Sequence, residues 1–231
     1  MAADLINIDG MSLESSGEKL SLQFITVPPA SQPPRGLIIA LHGWGANAED
    51  LASLVPYLNL PEYQFIFPNA PFPYPHTSTG RAWYNLSDNS YEGLGKSREL
   101  LSDFIQKQAI SLDIPLSRTV LCGFSQGGAM TLDVGLKLPL AGLVSLSGYL
   151  HPQVGMGLIS SPPPVLIAHG TKDTVVPLIA AHKARETLQS LGVTVKYQEF
   201  DMGHEILPET TALLREFISE VIPSQGQNSS Q

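Results

Sequence analysis

The chain has 231 residues of which 43% are hydrophobic, enough to bury one sizeable core, so a single domain over residues 1–222 is expected. A formal net charge of −8 argues against a protein that tracks nucleic-acid phosphates, which requires clustered Lys and Arg. The lone cysteine, Cys122, excludes an intrachain disulfide and a cysteine-based zinc site.

In chain order, residues 1–10 carry neither the basic nor the apolar region of an export signal. An unexported, cytoplasmic chain without stable membrane insertion is therefore expected. Residues 19–27 alternate apolar and polar side chains and read as an edge strand, and a Pro-rich turn follows at 30–35. Apolar runs at 36–41, 63–68, 119–122, 141–147, 164–169 and 193–200 read as further strands. The middle ones are continuous, as a sheet covered on both faces requires. Apolar residues recur at three- and four-residue intervals over 48–58, 95–112, 125–137, 178–191 and 209–222, which predicts helices, with Asn47 and Ser97 capping the first two. This alternation predicts an α/β fold, a mostly parallel central sheet flanked by helices. Only a short loop separates the strands at 141–147 and 164–169, so no cap domain is expected, and residues 223–231 read as a disordered polar tail.

The chemistry concentrates where the strand at 119–122 hands over to a helix. Gly123-Phe-Ser-Gln-Gly127 is a G-x-S-x-G nucleophile elbow. A serine hydroxyl is a poor nucleophile unless a sharp turn exposes it next to a base, and flanking glycines permit that crowding, so Ser125 is the expected nucleophile. In an α/β-hydrolase sheet the acid and then the histidine follow the serine on loops after later strands. The loop His169-Gly-Thr-Lys-Asp173-Thr-Val-Val-Pro177 holds one carboxylate, Asp173, and the glycine turn Asp201-Met-Gly-His204-Glu205 places His204 before the last helix. Asp173 is the expected acid and His204 the base, while Asp201 and Glu205 stay open as alternative acids, Asp201 the stronger rival. Of the remaining histidines, His76, His151 and His182 read as surface or packing residues. His42 and His169 read as hydrogen-bonding a loop near the site. An oxyanion hole needs two donors. The backbone amide of Gln126 at a helix start is one, and the turn Leu41-His-Gly-Trp44-Gly45 supplies the other through the amide of Trp44. No Lys-Ser or Lys-Thr follows that turn, so it is not a nucleotide cradle.

His42-Gly-Trp-Gly45, Gly123-Phe-Ser-Gln-Gly-Gly128, the loop from His169 to Pro177, and Met202-Gly-His204 together resemble the phospholipase/carboxylesterase family of α/β-hydrolases, which includes acyl-protein thioesterases and bacterial carboxylesterases. The resemblance covers nearly the whole chain. It implies a metal-independent serine carboxylesterase without a cofactor, with Ser125, Asp173 and His204 as the triad and oxyanion amides at Trp44 and Gln126. The implied partner is a small-molecule ester with a short to medium acyl chain, with acyl-protein thioesters or lysophospholipids as the alternative; no nucleic acid is implied, and a homodimer stays open. The long stretch 70–95 is rich in Pro and aromatics. In the family the corresponding region lies over the acyl site, so the resemblance implies Trp83 and Tyr84 as substrate-binding residues, with Tyr149 nearby. One departure stands out: the thioesterases generally carry Leu where this chain has Trp44, a larger group that would narrow an acyl channel. A peptidase of this fold usually carries an added cap or propeller domain, which the length excludes, and a complete set of motifs weighs against a non-enzymatic interaction protein.

Overall fold

The computed structural model describes residues 6–7, 21–88, 90–152 and 158–223. Its strands are β1 (Ile6–Asn7), β2 (Phe24–Val27), β3 (Leu37–Leu41), β4 (Gln64–Pro68), β5 (Phe72–Pro73), β6 (Arg81–Ala82), β7 (Thr119–Phe124), β8 (Gly142–Leu146), β9 (Val165–Gly170) and β10 (Val195–Phe200). The helices are α1 (Ala48–Ala52), α2 (Val55–Leu58), α3 (Leu94–Ser111), α4 (Gln126–Gly135), α5 (Leu178–Ser190) and α6 (Pro208–Val221). Eight strands form one sheet in the order β1-β2-β4-β3-β7-β8-β9-β10. From β4 to β10 every neighbouring pair is parallel, while β2 runs antiparallel to both β1 and β4. The mostly parallel sheet flanked by helices is the architecture expected from the alternating sequence.

The continuous apolar strands serve two cores at once, because successive side chains leave a strand on opposite faces. Ile39, Leu41, Leu121, Leu143 and Ile167 join Leu101 and Ile105 of α3, Met130 of α4 and Leu188 of α5 on one face. Ile38, Val120, Cys122, Val144 and Leu166 join Leu58 of α2 and Leu214, Phe217 and Ile218 of α6 on the other. No helix among the described residues is long and apolar enough to cross a membrane.

Several local expectations are corrected. The strand read at 19–27 runs only from Phe24 to Val27 in the described residues, and it is not an edge, because β1 pairs outside it. The helix read at 48–58 is two helices: Pro56 has no N–H to donate to residue 52, so α1 ends and α2 restarts with the proline in its first turn. Asn47 does cap α1, its side chain accepting from the amides of Glu49 and Asp50 while Asp50 Oδ2 accepts from the Asn47 amide. Ser97 is not a cap. It lies inside α3, whose cap is Gly93, and its hydroxyl donates to the Trp83 carbonyl. The stretch 70–95 contains the β5–β6 hairpin. Residues 224–231 of the polar tail lie outside the described residues.

Two glycines in helices make opposite predictions. A Cβ on Gly127 would sit 2.2 Å from the Leu41 carbonyl oxygen, whereas one on Gly95 meets nothing within 4 Å. In urea unfolding, Gly127→Ala should destabilise by about 1–3 kcal/mol or more through overpacking against backbone. Gly95→Ala should stabilise by about 0.5–1 kcal/mol, because alanine loses less entropy in a helix.

Candidate active site

β7 ends at Phe124, and the next residue, Ser125, turns the chain into α4 with φ at 55° and ψ at −118°, a positive-φ conformation that costs a serine energy. Close packing makes the turn possible. A Cβ on Gly123 would lie 2.3 Å from the Gly127 carbonyl group, and one on Gly127 would strike the end of β3, so the two glycines of the elbow are where backbone meets backbone. The Ser125 amide donates to the Leu146 carbonyl at 2.8 Å, tying the elbow to the adjacent β8.

The loop after β9 carries Asp173, and the turn after β10 carries His204. The two meet at the elbow. His204 Nδ1 lies 2.7 Å from Asp173 Oδ2, and His204 Nε2 lies 3.0 Å from Ser125 Oγ. Asp173 Oδ1 accepts from the amides of Val175 and Val176 at 2.9 and 2.8 Å, so both carboxylate oxygens are engaged. Burial alone would raise the Asp173 pKa, but the bond from His204 and the amides of Val176 and Val175 outweigh it and hold the carboxyl below the usual carboxylate range. An ionised Asp173 must accept from Nδ1–H, which leaves Nε2 of a neutral His204 free to accept the serine proton. The Phe124 ring flanks the imidazole at a centroid distance of 4.8 Å.

Asp201 is exposed and pairs with Lys172 at 2.6 Å, and Glu205 Oε1 accepts from the Gly203 amide at 3.2 Å. Neither is hydrogen-bonded to His204 among the described residues, so neither competes with Asp173. His169 braces the acid loop by donating from Nε2 to the Val176 carbonyl at 2.8 Å. His42 locks the early turn: Nδ1 donates to the Gly43 carbonyl at 2.7 Å and Nε2 accepts from the Ala70 amide at 3.0 Å. Burial pushes its pKa down to about 4, so the ring is neutral and holds one tautomer. His182 pairs with Glu199 at 2.7 Å on α5, and the ring of His76 stands against Tyr74.

The turn after β3 presses on the nucleophile, since a Cβ on Gly43 would lie 3.3 Å from the Ser125 Cβ. Within it, the Gly45 amide donates to Arg81 and the Ala46 amide to Gly43. The amides of Trp44 and Gln126 have no hydrogen-bond partner among the described residues. The Gln126 amide also opens α4, where the helix dipole favours negative charge. The Trp44 ring leans edge-on against Tyr74 at 5.1 Å.

The residues expected at the acyl chain divide. Trp83 and Tyr84 are 0% exposed, so neither ring offers a substrate any surface in this conformation. Trp83 is a clamp: its indole N–H donates to the His42 carbonyl at 3.0 Å and its amide donates to Gln126 Oε1 at 2.9 Å. Gln126 Nε2 in turn donates to the Tyr84 carbonyl at 2.8 Å. Tyr149 is half-buried after β8, its hydroxyl 2.5 Å from that of Tyr84. His151, read from sequence as a surface or packing residue, is 3% exposed and joins Asp133 and the Tyr84 hydroxyl, each at 2.7 Å. No local motif marks that group.

Residues 23–222 match the phospholipase/carboxylesterase family. The chain is 32% identical over 230 residues to acyl-protein thioesterase 1 of Neurospora crassa, covering 88% of this chain and 94% of the relative. The crystal structure of esterase PE8 superposes with a TM-score of 0.81 at 28% identity, covering 87% of this chain and 99% of that one. Acyl-protein thioesterase 2 of Zea mays has the same fold, with a TM-score of 0.70 at 22% identity over 87% of this chain and 99% of that one. With the match spanning the sheet from β2 to α6, the chain belongs to the phospholipase/carboxylesterase family of α/β-hydrolases and is a carboxylic ester hydrolase.

Proposed function

We propose that Ser125, His204 and Asp173 form the catalytic triad of a serine carboxylesterase acting on short to medium acyl esters. The observation that carries this reading is the continuous line from Asp173 Oδ2 to His204 at 2.7 Å and from His204 to Ser125 Oγ at 3.0 Å. Ser125 Oγ attacks the acyl carbon while His204 Nε2 takes its proton, and the amides of Gln126 and Trp44 receive the oxyanion. Collapse of the tetrahedral intermediate returns the proton to the leaving alcohol and leaves an acyl-enzyme on Ser125. Water, deprotonated by the same His204 nitrogen, then releases the acid. Asp173 stays ionised throughout and stabilises the imidazolium.

A second reading, thioester hydrolysis on acylated proteins, is favoured by the Neurospora crassa relative. The chemistry at Ser125 would be the same. The bulk of Trp44 beside the elbow favours the plain ester. A reducing cytoplasm is the proposed compartment, in which Cys122 is inert because burial pushes its thiol up to about 12.

Hydrolysis of p-nitrophenyl butyrate should fall by about a thousandfold or more in Ser125→Ala, and by a similar factor in His204→Ala, because triad members act as a unit. A fluorophosphonate probe should label the parent protein at Ser125; hydrolysis retained by Ser125→Ala, or an unlabelled Ser125, would sink the assignment. The pH profile of kcat/KM offers an independent check. Since the bonds to Asp173 hold its carboxyl below the usual carboxylate range, its protonation should add no second proton to the acid limb, which should have unit slope. A slope of two would mean that Asp173 titrates as well. Across acyl-chain length, kcat/KM should rise by up to about fourfold per methylene, equivalent to about 0.8 kcal/mol, until the acyl site ends. A flat series would remove the acyl site from this reading.

A further inference from the structure

Behind the elbow lies a second buried line of titratable groups that the mechanism above does not use. Asp133, on α4, has a side chain only 1% exposed. Its Oδ2 accepts from Arg98 Nε at 2.6 Å and lies 2.7 Å from His151 Nδ1, while Oδ1 accepts from Lys137 at 3.1 Å. His151 Nε2 stands 2.7 Å from the Tyr84 hydroxyl, which stands 2.5 Å from the Tyr149 hydroxyl. The order is therefore Asp133, His151, Tyr84, Tyr149, running from the buried face of α4 outward to a half-buried phenol.

Hydrogen-bond chemistry gives this line a direction. Burial alone would raise the Asp133 pKa, but the bonds from His151, Arg98 and Lys137 hold the carboxyl well below the usual range, so it can only accept. His151 Nδ1 must then be the donor. With two cations already facing Asp133, a neutral His151 ring completes the pairing without a buried excess charge. In the neutral ring Nε2 accepts, so the Tyr84 proton points at His151. The Tyr84 oxygen in turn takes the proton of Tyr149. Burial pushes Tyr84 far above the ordinary phenol range and Tyr149 up to about 12, so both phenols keep their protons. Tyr149 has its only proton committed inward, and its oxygen is left as an acceptor.

Tyr149 also stands close to the chemistry. It follows β8, at the sheet edge where Ser125, Asp173 and His204 follow β7, β9 and β10. The carbonyl of Leu146, three residues before it, accepts from the Ser125 amide. A Cβ on Gly148 would lie 3.1 Å from the Gly128 Cα, so the turn bearing Tyr149 packs on the first turn of α4.

We propose that Tyr149 is a specificity residue that accepts a hydrogen bond from a donor group, a hydroxyl or amide N–H, carried by the substrate near its scissile ester, with its polarity imposed by Asp133 through His151 and Tyr84. The inference rests on the esterase reading of Ser125. It narrows the substrate class from plain alkyl esters to esters that bear a donor. Asp133, His151 and Tyr84 are positioning residues, since they reach the substrate only through Tyr149.

The test is the ratio of kcat/KM for matched ester pairs. On the acyl side the pair is p-nitrophenyl 3-hydroxybutanoate and its 3-methoxy counterpart; on the alcohol side it is 2-hydroxyethyl butanoate and 2-methoxyethyl butanoate. In at least one arm the hydroxyl member should be preferred by about fivefold to tenfold, the scale of one net hydrogen bond, and that arm identifies which side carries the donor. Tyr149→Phe should abolish the preference. Asp133→Asn should abolish or reverse it, because an amide donates to His151 Nδ1, shifts the ring proton to Nε2 and turns every hydroxyl outward. Should Asp133→Asn fail to fold, Tyr84→Phe frees the Tyr149 proton and should bring the ratio toward parity. A mere packing defect would lower both members of a pair together and leave the ratio in place. No preference in either arm of the parent enzyme overturns the proposal, as does an unchanged ratio in Tyr149→Phe or in the folded relay variant. Fluorophosphonate labelling of Ser125 on the same preparations separates the cases: an unlabelled serine defeats the esterase reading, whereas a labelled enzyme without preference defeats only the role of Tyr149.

Discussion

The contact between Gly127 and the Leu41 carbonyl, where a Cβ would sit 2.2 Å from oxygen, is the constraint on which the site geometry depends. It brings the first turn of α4 against the end of β3. That approach leaves Ser125 at the apex of a turn with φ at 55°, a conformation costing on the order of 1–3 kcal/mol that only over-determined surroundings hold. The surroundings here are specific: the Ser125 amide is bonded to β8, its carbonyl accepts the first helical bond of α4, from Ala129, and the glycine turn at Gly43 lies against its side chain. The same approach brings the turn that bears Trp44 and the start of α4 that bears Gln126 to the serine. Relaxing one contact would loosen the proposed nucleophile and the proposed oxyanion donors together.

The protein builds two Asp–His pairs with the same first bond, Nδ1 to Oδ2 at 2.7 Å, and they differ in everything around it. Asp173 is bonded to backbone amides and to His204, with His169 Nε2 3.4 Å from the same oxygen and no Lys or Arg against its carboxylate among the described residues. Asp133 already faces Arg98 and Lys137. It can orient His151 but has less field to offer a protonated ring. The groups at Nε2 diverge in the same sense, the alcohol of Ser125 against the phenol of Tyr84. One pair is suited to moving a proton and the other to fixing where protons point.

What could be read from the residues follows from how local each signal is. Strands covered on both faces announce themselves as continuous apolar runs, and β3, β7, β8 and β9 were legible within a few residues for that reason. Ser125, Asp173 and His204 were legible as candidates because each stands in a short motif after a strand, and the folded sheet brings those strand ends together. β1 was missed, since two residues carry no periodicity. The helix at 48–58 was misread because periodicity passed through Pro56, whose missing N–H divides it. Trp83 and Tyr84 were expected at the substrate because the family resemblance places the region 70–95 over the acyl site, and a resemblance of regions does not say which of their rings are exposed. His151 was set aside because its partners lie 18 and 67 residues away, which no motif spans.

The attachment of that region has a consequence for how specificity and rate are joined. The segment 70–95 is tied to the oxyanion turn by backbone bonds in both directions, from the Gly45 amide to the Arg81 carbonyl and from the Arg81 amide to the Ala46 carbonyl. Trp83 adds a bond to His42, and the Gln126 side chain bridges Trp83 and Tyr84. Both residues whose amides are proposed to receive the oxyanion are therefore fastened, within a residue or two, to the segment proposed to back the acyl site. A segment fastened in this way is pre-organised, and its rigidity is shared with the amides proposed to stabilise the transition state. A substitution in the segment that shifts Trp83 displaces the amides of Trp44 and Gln126 relative to Ser125, so its effect falls on kcat as well as on substrate affinity. Tyr149 is attached differently, through side-chain hydroxyls alone, and is the part of the proposed substrate site whose chemistry can change without moving the oxyanion donors.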